Sequence, residues 1–455
     1  MEEKIQPHIV LLSGDPKKAY DGLLRDIGDA QVVLIGEASH GTHDFYEERA
    51  KITKRLVEEK GFSMVVCEAD WPDMARAHRY VRGLKGDGSA AEALEGFKRF
   101  PTWMWRNTVM VDFVEWAKKH NQEIFAKERA GEKLENTSTV GLYGFDLYSL
   151  HKSMEAVIEY LEKVDPDTAE RTKKRYSCFD HFGRDPQLYG LATTAGGADP
   201  CEDQVVQVLK DLMRLAPEKL RSANHDRDAT CHEDEQFFAV QNALVVKDAE
   251  QYYRSMYRAR DMSWNLRDKH MFNTLKALIA HCERLSGSPA RTVVWAHNSH
   301  LGDARATDMS WRRKELNVGQ LVREHYKEKA FNIGFSTYTG TVTAAYDWGE
   351  PAHCMKVNQG MAGSFERLFH KVSPSRFLLD VSNHVPKHLE LLERAIGVIY
   401  RADTERFSHY FQARVAQQFN RVIHLDWTRA LEPLEWGEKW TMPKDEPPET
   451  FPFGE

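Results

Sequence analysis

A carboxylate and two imidazoles fall within one short stretch of this chain. Glu37, His40 and His43 directly follow the apolar run 32–35 (Val-Val-Leu-Ile), and a helical pattern begins near Asp44. In open α/β sheets, ligands bind beyond the carboxyl ends of the strands, where loops hold polar groups that a strand interior does not tolerate. The stretch therefore predicts a buried strand that delivers these three side chains to a functional crevice.

Three further predicted strands also end in an ionisable residue. Glu68 follows Met-Val-Val-Cys, Asp146 follows Gly-Leu-Tyr-Gly-Phe, and His297 follows Val-Val-Trp-Ala. On parallel strands these groups and Glu37 share one crevice, where like charges and partial burial shift protonation equilibria towards values useful for catalysis. Each residue taken alone is more often a helix cap or a solvated loop position. The joint pattern favours a catalytic site.

Residue types discriminate among three hydrolytic chemistries. A serine hydrolase of the α/β class carries its nucleophile in a Gly-x-Ser-x-Gly turn, which is absent here, because the serine after Glu37 lies in Glu-Ala-Ser-His. A metal-dependent hydrolase fits the spacings Glu37-x-x-His40-x-x-His43 and His297-x-x-His300. Metal-free hydrolysis needs one imidazole as general base for water and nearby carboxylates that fix its tautomer. The residues alone leave the last two open.

Composition and charge argue against several classes of protein. The 455 residues carry a formal net charge of -7 without a basic patch, so neither nucleic acid nor a membrane surface is an expected partner. No stretch approaches the ~20 consecutive apolar residues of a bilayer span, and the N-terminus lacks the pattern of a secretory signal. The six cysteines include no Cys-x-x-Cys pair and are expected as free thiols. We therefore expect a soluble, cytoplasmic protein.

One group of cysteines and histidines has a superficial likeness to a zinc site. It consists of Cys201, His225, Cys231 and His232. Their spacing matches no structural-zinc pattern, and the residues between them predict helix. No zinc is expected there, and no cofactor elsewhere.

Apolar runs typical of strands alternate with helical patterns along most of the chain. Strands are predicted at 32–36, 64–67, 140–145, 293–296, 331–335, 377–381, 398–400 and 422–425, with a hairpin around Gly340 within 337–357. These short apolar strands predict an α/β fold with a mostly parallel sheet flanked by helices. The segment 150–286 shows only helical patterns, which predicts a large α-helical insertion that forms a cap over the active-site cleft. The expected domains are an α/β core at 1–149 and 287–455 and this cap at 150–286.

Four separated motifs resemble the erythromycin esterase family, in the family's order and along nearly the whole chain. They are Gly-Glu-Ala-Ser-His-Gly-Thr-His-Asp-Phe-Tyr-Glu-Glu-Arg, Val-Cys-Glu-Ala-Asp-Trp, Trp-Asn-Leu-Arg-Asp-x-His-Met and Val-Trp-Ala-His-Asn-Ser-His. The resemblance implies metal-independent opening of macrolide lactones. It places the family's essential positions at Glu37, His40, Arg49, Glu68, His297 and His300.

Physical reasoning suggests roles for the matched residues. His40, in a turn beside Gly41, is predicted to be the base that activates water. Glu37 and Glu68 are predicted to orient its ring and to stabilise its charged form. His297 is the rival base, or the donor to the developing oxyanion. The sequence does not rank these two roles.

Arg49 lies two turns into the helix that is predicted after the first motif. Its guanidinium keeps its charge at any relevant pH, so it is expected to pair with a glutamate or to stabilise the tetrahedral oxyanion. A surface salt bridge with Glu48 is the competing interpretation.

A second group of residues is predicted to bind the substrate. Arg267 and His270 lie one turn apart in a predicted cap helix and are expected to share a face that reaches the crevice; a polar face packed on the sheet domain is the competing interpretation. Trp71, Trp103 and Trp105 are predicted either to line an apolar wall or to belong to the core. The predicted substrate contacts are His43, Asp70, Trp71, Trp105, Asp146, Arg267 and His270.

The sequence therefore predicts a hydrolase that acts on an ester or a macrocyclic lactone without a metal. Three alternatives stay open: a metal-dependent hydrolase at the same residues, a non-hydrolytic relative that catalyses a rearrangement (isomerase or cyclase), and a binding protein. The last is included because relatives of similar topology are thought to bind haem, which needs an axial ligand and an apolar slot. A small-molecule substrate is the expected partner, and the oligomeric state is unassigned.

Overall fold

The computed structural model describes residues 1–12, 16–84, 86–132, 138–222, 229–257 and 260–436. The strands are β1 (Ile9–Leu11), β2 (Val32–Ile35), β3 (Met64–Asp70), β4 (Gly141–Asp146), β5 (Thr292–Trp295), β6 (Ala330–Ala344), β7 (His353–Val357), β8 (Arg376–Leu379), β9 (Leu391–Arg394), β10 (Tyr410–Ala413) and β11 (Arg421–Thr428). The α-helices are α1 (Glu2–Ile5), α2 (Pro16–Ala19), α3 (Asp21–Ile27), α4 (His43–Lys60), α5 (Trp71–Val81), α6 (Ala90–Ala93), α7 (Thr108–Arg129), α8 (Leu150–Val164), α9 (Pro166–Tyr176), α10 (Pro186–Thr194), α11 (Glu202–Ser222), α12 (Ala229–Ser255), α13 (Arg260–Ser286), α14 (Asn298–Leu301), α15 (Asp308–Arg313), α16 (Val318–Tyr326), α17 (Phe365–Val372), α18 (Val381–His384), α19 (Glu405–Ser408) and α20 (Val415–Gln418).

The main sheet has nine strands in the order β1-β8-β11-β6-β2-β5-β3-β4, with β7 paired to β6. The six strands from β11 to β4 run parallel. The strands β1, β8 and β7 pair antiparallel at its margins. The predicted α/β class with a mostly parallel sheet is therefore confirmed, and so is the predicted antiparallel pairing at the hairpin.

Both faces of the central strands are buried. On β2, Val33 and Ile35 join one apolar cluster with α4 and α7, whereas Val32 and Leu34 join a second cluster with α13 and α16. Side chains alternate between the two faces of a strand, so a continuous apolar run fills two helical layers at once. This is why the strands read as uninterrupted apolar stretches in the sequence.

The helices α8 to α13 lie between β4 and β5 in the chain, as predicted for the segment 150–286. They bury an apolar cluster of their own, which includes Val157, Leu161, Val208 and Val246. The last of them, α13, also packs against the sheet, where Met271 belongs to the second cluster under β2. The helical segment thus combines an independent core with one helix that is shared with the sheet.

Three details of the strand prediction are wrong. Residues 398–400 form no strand, because Ile399 makes a single bridge to Ala345. The strands β1, β9 and β10 were not expected; each is short and two carry a charged or polar pattern. The hairpin turns at 345–352 rather than at Gly340. Gly340 lies inside β6, where a Cβ atom would come within 1.9 Å of the Thr428 carbonyl oxygen of β11.

The expectation of free thiols is wrong for two cysteines. Cys178 and Cys201 form a disulfide within the helical segment, whereas Cys67 and Cys282 are free thiols. Cys201 is thereby removed from the group considered for zinc. His225 and the side chains of Cys231 and His232 lie outside the described residues. Among the described helices, none has the length and apolarity to cross a membrane.

Candidate active site

The register of the parallel strands brings the predicted residues to one edge of the sheet. Trp295 at the end of β5 pairs with Ile35 on one side and with Cys67 on the other. Glu68 directly follows Cys67, and Glu37 and His297 each lie two residues after Ile35 and Trp295. They meet at a cavity of about 460 Å³, which we call the inner chamber. Its polar lining consists of His40, Glu68, Asp70, Arg99, Asp146, Tyr148, Arg267, His297, Ser299 and His300, and its aromatic lining includes Phe97, Trp105, Trp264 and Trp348.

Two glycines set the course of the turn after β2. A Cβ atom on Gly36 would come within 2.1 Å of the Asn298 side chain, and one on Gly41 within 1.8 Å of the Thr343 carbonyl oxygen. The Gly41 carbonyl in turn accepts a hydrogen bond from the Thr343 N–H at 2.9 Å. Only glycine allows this close approach of two backbones. The turn is thereby held against β6, with His40 on its chamber side.

His40, Glu37 and Arg49 form a buried chain of contacts. Glu37 Oε1 lies 2.8 Å from His40 Nδ1, and Glu37 Oε2 lies 2.7 Å from an Arg49 guanidinium nitrogen. Arg49 is fully buried, and its guanidinium lies over the rings of Tyr46 and Trp295. Arg49 therefore pairs with a glutamate, as one interpretation predicted, and the surface pair with Glu48 does not form.

The position of Glu37 fixes the tautomer of a neutral His40. A carboxylate accepts, so His40 Nδ1 must carry the proton and donate it to Glu37. The other ring nitrogen, Nε2, is then an unprotonated acceptor, and it has no hydrogen-bond partner among the described residues. A histidine in this state, on the wall of a cavity, is equipped to take a proton from water.

Glu68 is buried among positive and donor groups. Its Oε1 accepts from Arg267 at 2.6 Å, and its Oε2 accepts from the backbone N–H of His297 at 2.9 Å. Burial raises the pKa of Glu68, but His300, Arg267 and His40 together with the His297 N–H outweigh burial and hold this pKa well below its usual range. Glu68 is therefore a carboxylate at neutral pH.

His297 is held as a neutral ring. Its Nδ1 accepts the backbone N–H of Ser299 at 3.1 Å, which leaves the proton of the neutral ring on Nε2. Burial and the neighbouring His40 lower the pKa of His297 to about 3. Nε2 is buried and makes no hydrogen bond within the described part of the chain. The nearby Ala38 backbone raises the pKa of His297, but its effect is smaller than the lowering by burial. The ring therefore presents a donor, and its centroid lies 4.9 Å from that of His40.

His300 is fixed from both of its ring nitrogens. The carboxylate oxygens of Asp268 lie 2.9 and 3.0 Å from Nδ1, and Glu68 Oε1 lies 3.4 Å from Nε2. Trp264 stacks on the ring at a centroid distance of 4.5 Å. Burial lowers the pKa of His300, but the two carboxylates outweigh burial and the opposing charge of Arg267, so this pKa is raised.

Arg267 connects the helical segment to the sheet. Its guanidinium makes two hydrogen bonds to Asp146, at 2.9 and 2.8 Å, in addition to the one to Glu68. A guanidinium nitrogen also lies 3.0 Å from His300 Nε2, and the guanidinium lies over the ring of Tyr148. Bidentate contact of this kind fixes both position and direction. Arg267 and Asp146 thus meet in the site, as predicted, although each is engaged by the protein itself.

The other predicted substrate contacts divide into two groups. Asp70 and Trp105 line the inner chamber. Asp70 pairs with Arg99 through two hydrogen bonds, at 3.1 and 3.0 Å. Trp105 donates its indole N–H to the Glu68 carbonyl at 3.2 Å and presents its ring to the cavity.

His43, Trp71 and His270 do not line the chamber, and neither does Trp103, which is buried in the core. His43 lies across the turn and accepts a hydrogen bond from Arg429. Trp71 begins α5 on the side that α12 covers, so it packs against Phe238 instead of the cavity.

The misplacement of His270 follows from the direction of α13. This helix runs from the carboxyl edge of the sheet towards the start of β5, so each residue moves about 1.5 Å away from the site. His270 is one turn farther from the site than Arg267. It pairs with Asp248 of α12, at 2.7 Å, within the helical segment.

Several site residues were not singled out from the sequence. They are Asp268, Trp264, Ser299, Arg99 and Tyr148. Trp264 and Asp268 lie four residues apart in the Trp-Asn-Leu-Arg-Asp motif, a spacing that places them with Arg267 on one helix face, and this was the available signal. Arg99 and Tyr148 lie in loops without a pattern that distinguishes them.

The acidic groups of the site already have cationic partners. Glu37 pairs with Arg49, Glu68 and Asp146 pair with Arg267, and Asp70 pairs with Arg99. Within the described part of the chain, no three His, Cys, Asp or Glu side chains come together in an arrangement suited to a metal ion. The donor set therefore resembles a network of guanidinium and carboxylate pairs more than a metal centre.

Comparison with known proteins places the chain in a family. The family model for erythromycin esterase matches residues 57–428. The chain is 19% identical over 356 residues to the putative hydrolase YbfO of Bacillus subtilis, covering 74% of this chain and 73% of that protein. It is 19% identical over 439 residues to the erythromycin esterase type II of Escherichia coli, covering 92% and 95% of the two chains.

A solved structure shares the fold. The crystal structure of an erythromycin esterase mutant in its open conformation matches with a TM-score of 0.61 at 16% identity, covering 92% of this chain and 97% of that chain. The family match indicates a protein of the hydrolase class. The chain belongs to the erythromycin esterase family.

Proposed function

We propose that this protein hydrolyses a carboxylic ester or lactone in the inner chamber without a metal, with His40 as the general base. The observation that carries the proposal is the buried chain from Arg49 through Glu37 to His40. It orients one imidazole, fixes its tautomer and leaves the acceptor nitrogen on the cavity wall.

The reaction follows from the protonation states. His40 Nε2 takes a proton from water as the water oxygen bonds to the substrate carbonyl carbon. Glu37 accepts from Nδ1 throughout and stabilises the imidazolium that forms. When the tetrahedral intermediate collapses, the bond to the alkoxide breaks and His40 returns the proton to it. The products are a carboxylic acid and an alcohol, or the open hydroxy acid from a lactone.

A neighbouring histidine supplies stabilisation for the negative charge that develops. His297 is neutral, keeps its proton on Nε2 and lies beside His40. A preorganised donor that faces the developing oxyanion costs no reorganisation during the reaction. We assign this role to His297 and the role of base to His40. The reason is that Glu37 contacts only His40 and therefore stabilises only the His40 imidazolium.

Absence of a metal from the mechanism is supported by the chemistry of the acidic groups. A hydrolytic metal needs carboxylate or imidazole lone pairs that are free to bind it. Here guanidinium groups occupy those lone pairs on Glu37, Glu68 and Asp146. The positive charge that a metal would bring is thus supplied by arginine.

A panel of esters and macrolide lactones, assayed by mass spectrometry, tests the proposal. A gain of one water identifies hydrolysis, whereas a product of unchanged mass indicates a rearrangement and contradicts the proposal. Turnover is expected to persist after treatment with a chelator. Loss of turnover that added zinc restores would overturn metal independence.

A variant pair tests the base. His40→Ala is expected to lower kcat by about 10²–10⁴-fold, the usual contribution of a general base. His43→Ala is the matched control, since His43 is three residues away and is 8% exposed, as is His40, but does not line the chamber. Equal losses in both variants, or retained turnover in His40→Ala, would contradict the assignment.

A further inference from the structure

A second cavity adjoins the inner chamber. It has a volume of about 780 Å³, and we call it the outer chamber. Asp70, Arg99, Tyr148 and Trp348 line both cavities, so the two are adjacent and share part of their walls. Each volume falls within the range of about 300–1,000 Å³ that is typical of ligand sites. The combined space is larger than an ester group alone requires.

The ionic groups of the outer chamber are mostly paired with one another. Asp70 pairs with Arg99, Asp73 with Lys152, and Glu155 with Arg184. The remaining charges of its lining are engaged or peripheral. Arg76 pairs with Asp87, and Asp185 accepts the Gln187 N–H at the start of α10. Burial and the neighbouring Arg184 lower the pKa of His151, which leaves exposed Lys98 as the unpaired cation in the described lining.

Aromatic surface is the other main component of the lining. Phe100, Tyr148, Tyr252, Tyr253 and Trp348 all contribute to it. Trp348 lies on the loop 345–352 between β6 and β7, packs edge-on against Phe100 at 4.9 Å, and is 53% exposed. The hydroxyls of Tyr148 and Tyr252 lie 3.1 Å apart. The walls thus combine ring faces with hydroxyl groups that donate and accept hydrogen bonds.

We propose that the outer chamber binds an uncharged, ring-bearing and hydroxylated part of the substrate while the scissile ester lies in the inner chamber. This inference rests on the proposed function, because it deepens the choice of substrate for that same reaction. Ring faces pack on aromatic side chains, and hydroxyls match the polar groups between them. Covering Trp348 removes exposed aromatic surface from water, which favours binding.

The paired charges explain why an uncharged group is favoured. A ligand carboxylate or ammonium would gain a strong contact only by separating an existing pair such as Asp70–Arg99. The side chains of Asp70 and Asp73 are only 6% and 4% exposed, so drawing Arg99 or Lys152 away would leave a buried charge uncompensated, which is strongly unfavourable. A neutral hydroxyl instead adds to the pair without displacing either side chain. Among the Lys and Arg residues of the described lining, exposed Lys98 alone lacks such a pair, so a charged ligand meets few free counter-ions there.

A matched series of acetate esters tests the charge preference. The probes are 4-nitrophenyl acetate as the small ester, the 4-O-acetyl ester of an alkyl glucoside, and the 4-O-acetyl esters of the corresponding alkyl glucuronide and alkyl glucosaminide. A pH-stat measures the acid released. We expect kcat/KM for the neutral glucoside ester to exceed that for each charged analogue by about tenfold or more, equivalent to 1.4 kcal/mol. Equal or better use of a charged analogue would overturn the inference.

Two substitutions test the location. Trp348→Ala removes an aromatic wall, and Gln187→Trp places bulk in the outer chamber from α10. Both are expected to lower the ratio of kcat/KM for the glucoside ester to that for the small ester by about tenfold. The controls are Tyr346→Ala, on the same loop and 57% exposed, and Leu188→Trp, next to Gln187 and 52% exposed. Neither Tyr346 nor Leu188 lines a chamber, and neither control should change the ratio.

The outcomes separate the two proposals. If no probe, including the small ester, is hydrolysed by the folded protein, the proposed function fails. If the small ester is hydrolysed but Trp348→Ala and Gln187→Trp leave the ratio unchanged, the proposed function stands and the role of the outer chamber is refuted. A ratio that also falls in the controls would equally refute it, since the effect would then not depend on the lining.

Discussion

The rings of His40 and His297 lie with their centroids 4.9 Å apart and their planes inclined by 49°. They follow different strands, β2 and β5, and they differ in the hydrogen-bonding state of their Nε2 atoms. Glu37 makes His40 Nε2 an acceptor, whereas Ser299 makes His297 Nε2 a donor. Two chemically identical side chains thus receive opposite roles from their hydrogen-bond partners.

Replacement of His297 should therefore affect the transition state more than binding. We expect His297→Gln to lower kcat by about 10²–10³-fold with little change in KM, the usual effect of losing one oxyanion donor. Because burial and His40 lower the pKa of His297 to about 3, its protonation lies well below neutral pH. The acid limb of the pH profile should consequently stay in place in the variant. A shift of that limb would indicate that His297 is the base.

Substitutions in the Glu37–Arg49 pair should affect the stability of the protein and its activity differently. Arg49→Met leaves the Glu37 carboxylate buried without its cation and is expected to lower the free energy of unfolding by about 3–5 kcal/mol. The double variant Glu37→Gln/Arg49→Met removes both charges and should recover most of that loss without recovering turnover. Urea unfolding and ester hydrolysis measure the two effects. Recovery of turnover in the double variant would show that Glu37 is not needed to orient His40.

Asp268 should control the protonation of His300. The carboxylates of Asp268 and Glu68 raise the pKa of His300 against burial, so its contribution to stability is present at low pH and is lost as pH rises through this raised pKa. Asp268→Asn removes the nearer carboxylate, and the pKa of His300 should fall. The imidazole resonances in an NMR titration should report this fall, and any alkaline limb of kcat that depends on the His300 imidazolium should move to lower pH. An unchanged titration would contradict the role of Asp268.

The disulfide should stabilise the wall of the outer chamber. Cys178 and Cys201 are separated by 23 residues, and the enclosed segment includes Arg184 and Gln187 of the chamber lining. Closing a loop of this size typically stabilises by about 3 kcal/mol. Cys178→Ser/Cys201→Ser should lower the denaturation midpoint and raise KM for the glucoside ester more than for the small ester. Cys282→Ser is the control, since Cys282 is outside the disulfide.

The part of the site that depends on local sequence patterns could be predicted from the sequence. Glu37, Glu68, Asp146 and His297 were found because each ends an apolar run, and the apolar runs were continuous because both faces of the strands are buried. Because these strands pair in parallel, the four residues lie at the same edge of the sheet, and no further sequence information is needed to predict this. Strand-end residues are thus predictable from patterns of a few residues.

The rest depended on tertiary packing. His40 and His43 are three residues apart in one turn, and only the contact of Gly41 with Thr343 decides which of them lies on the chamber side. Trp71 was predicted in the pocket, but the position of α12 makes it part of the core. Arg99 and Tyr148 lie in loops, and nothing in the adjacent sequence indicates that they line two cavities.

The helix α13 ends the helical segment, leads into β5, and carries Arg267 and Asp268. The groups that hold Glu68 and His300 in place therefore lie on a helix that is directly connected to the sheet. By contrast, α8, α10 and α12 supply much of the outer wall. A change in those outer helices would therefore alter the wall that faces the substrate and leave the anchorage of the chemical centre in place.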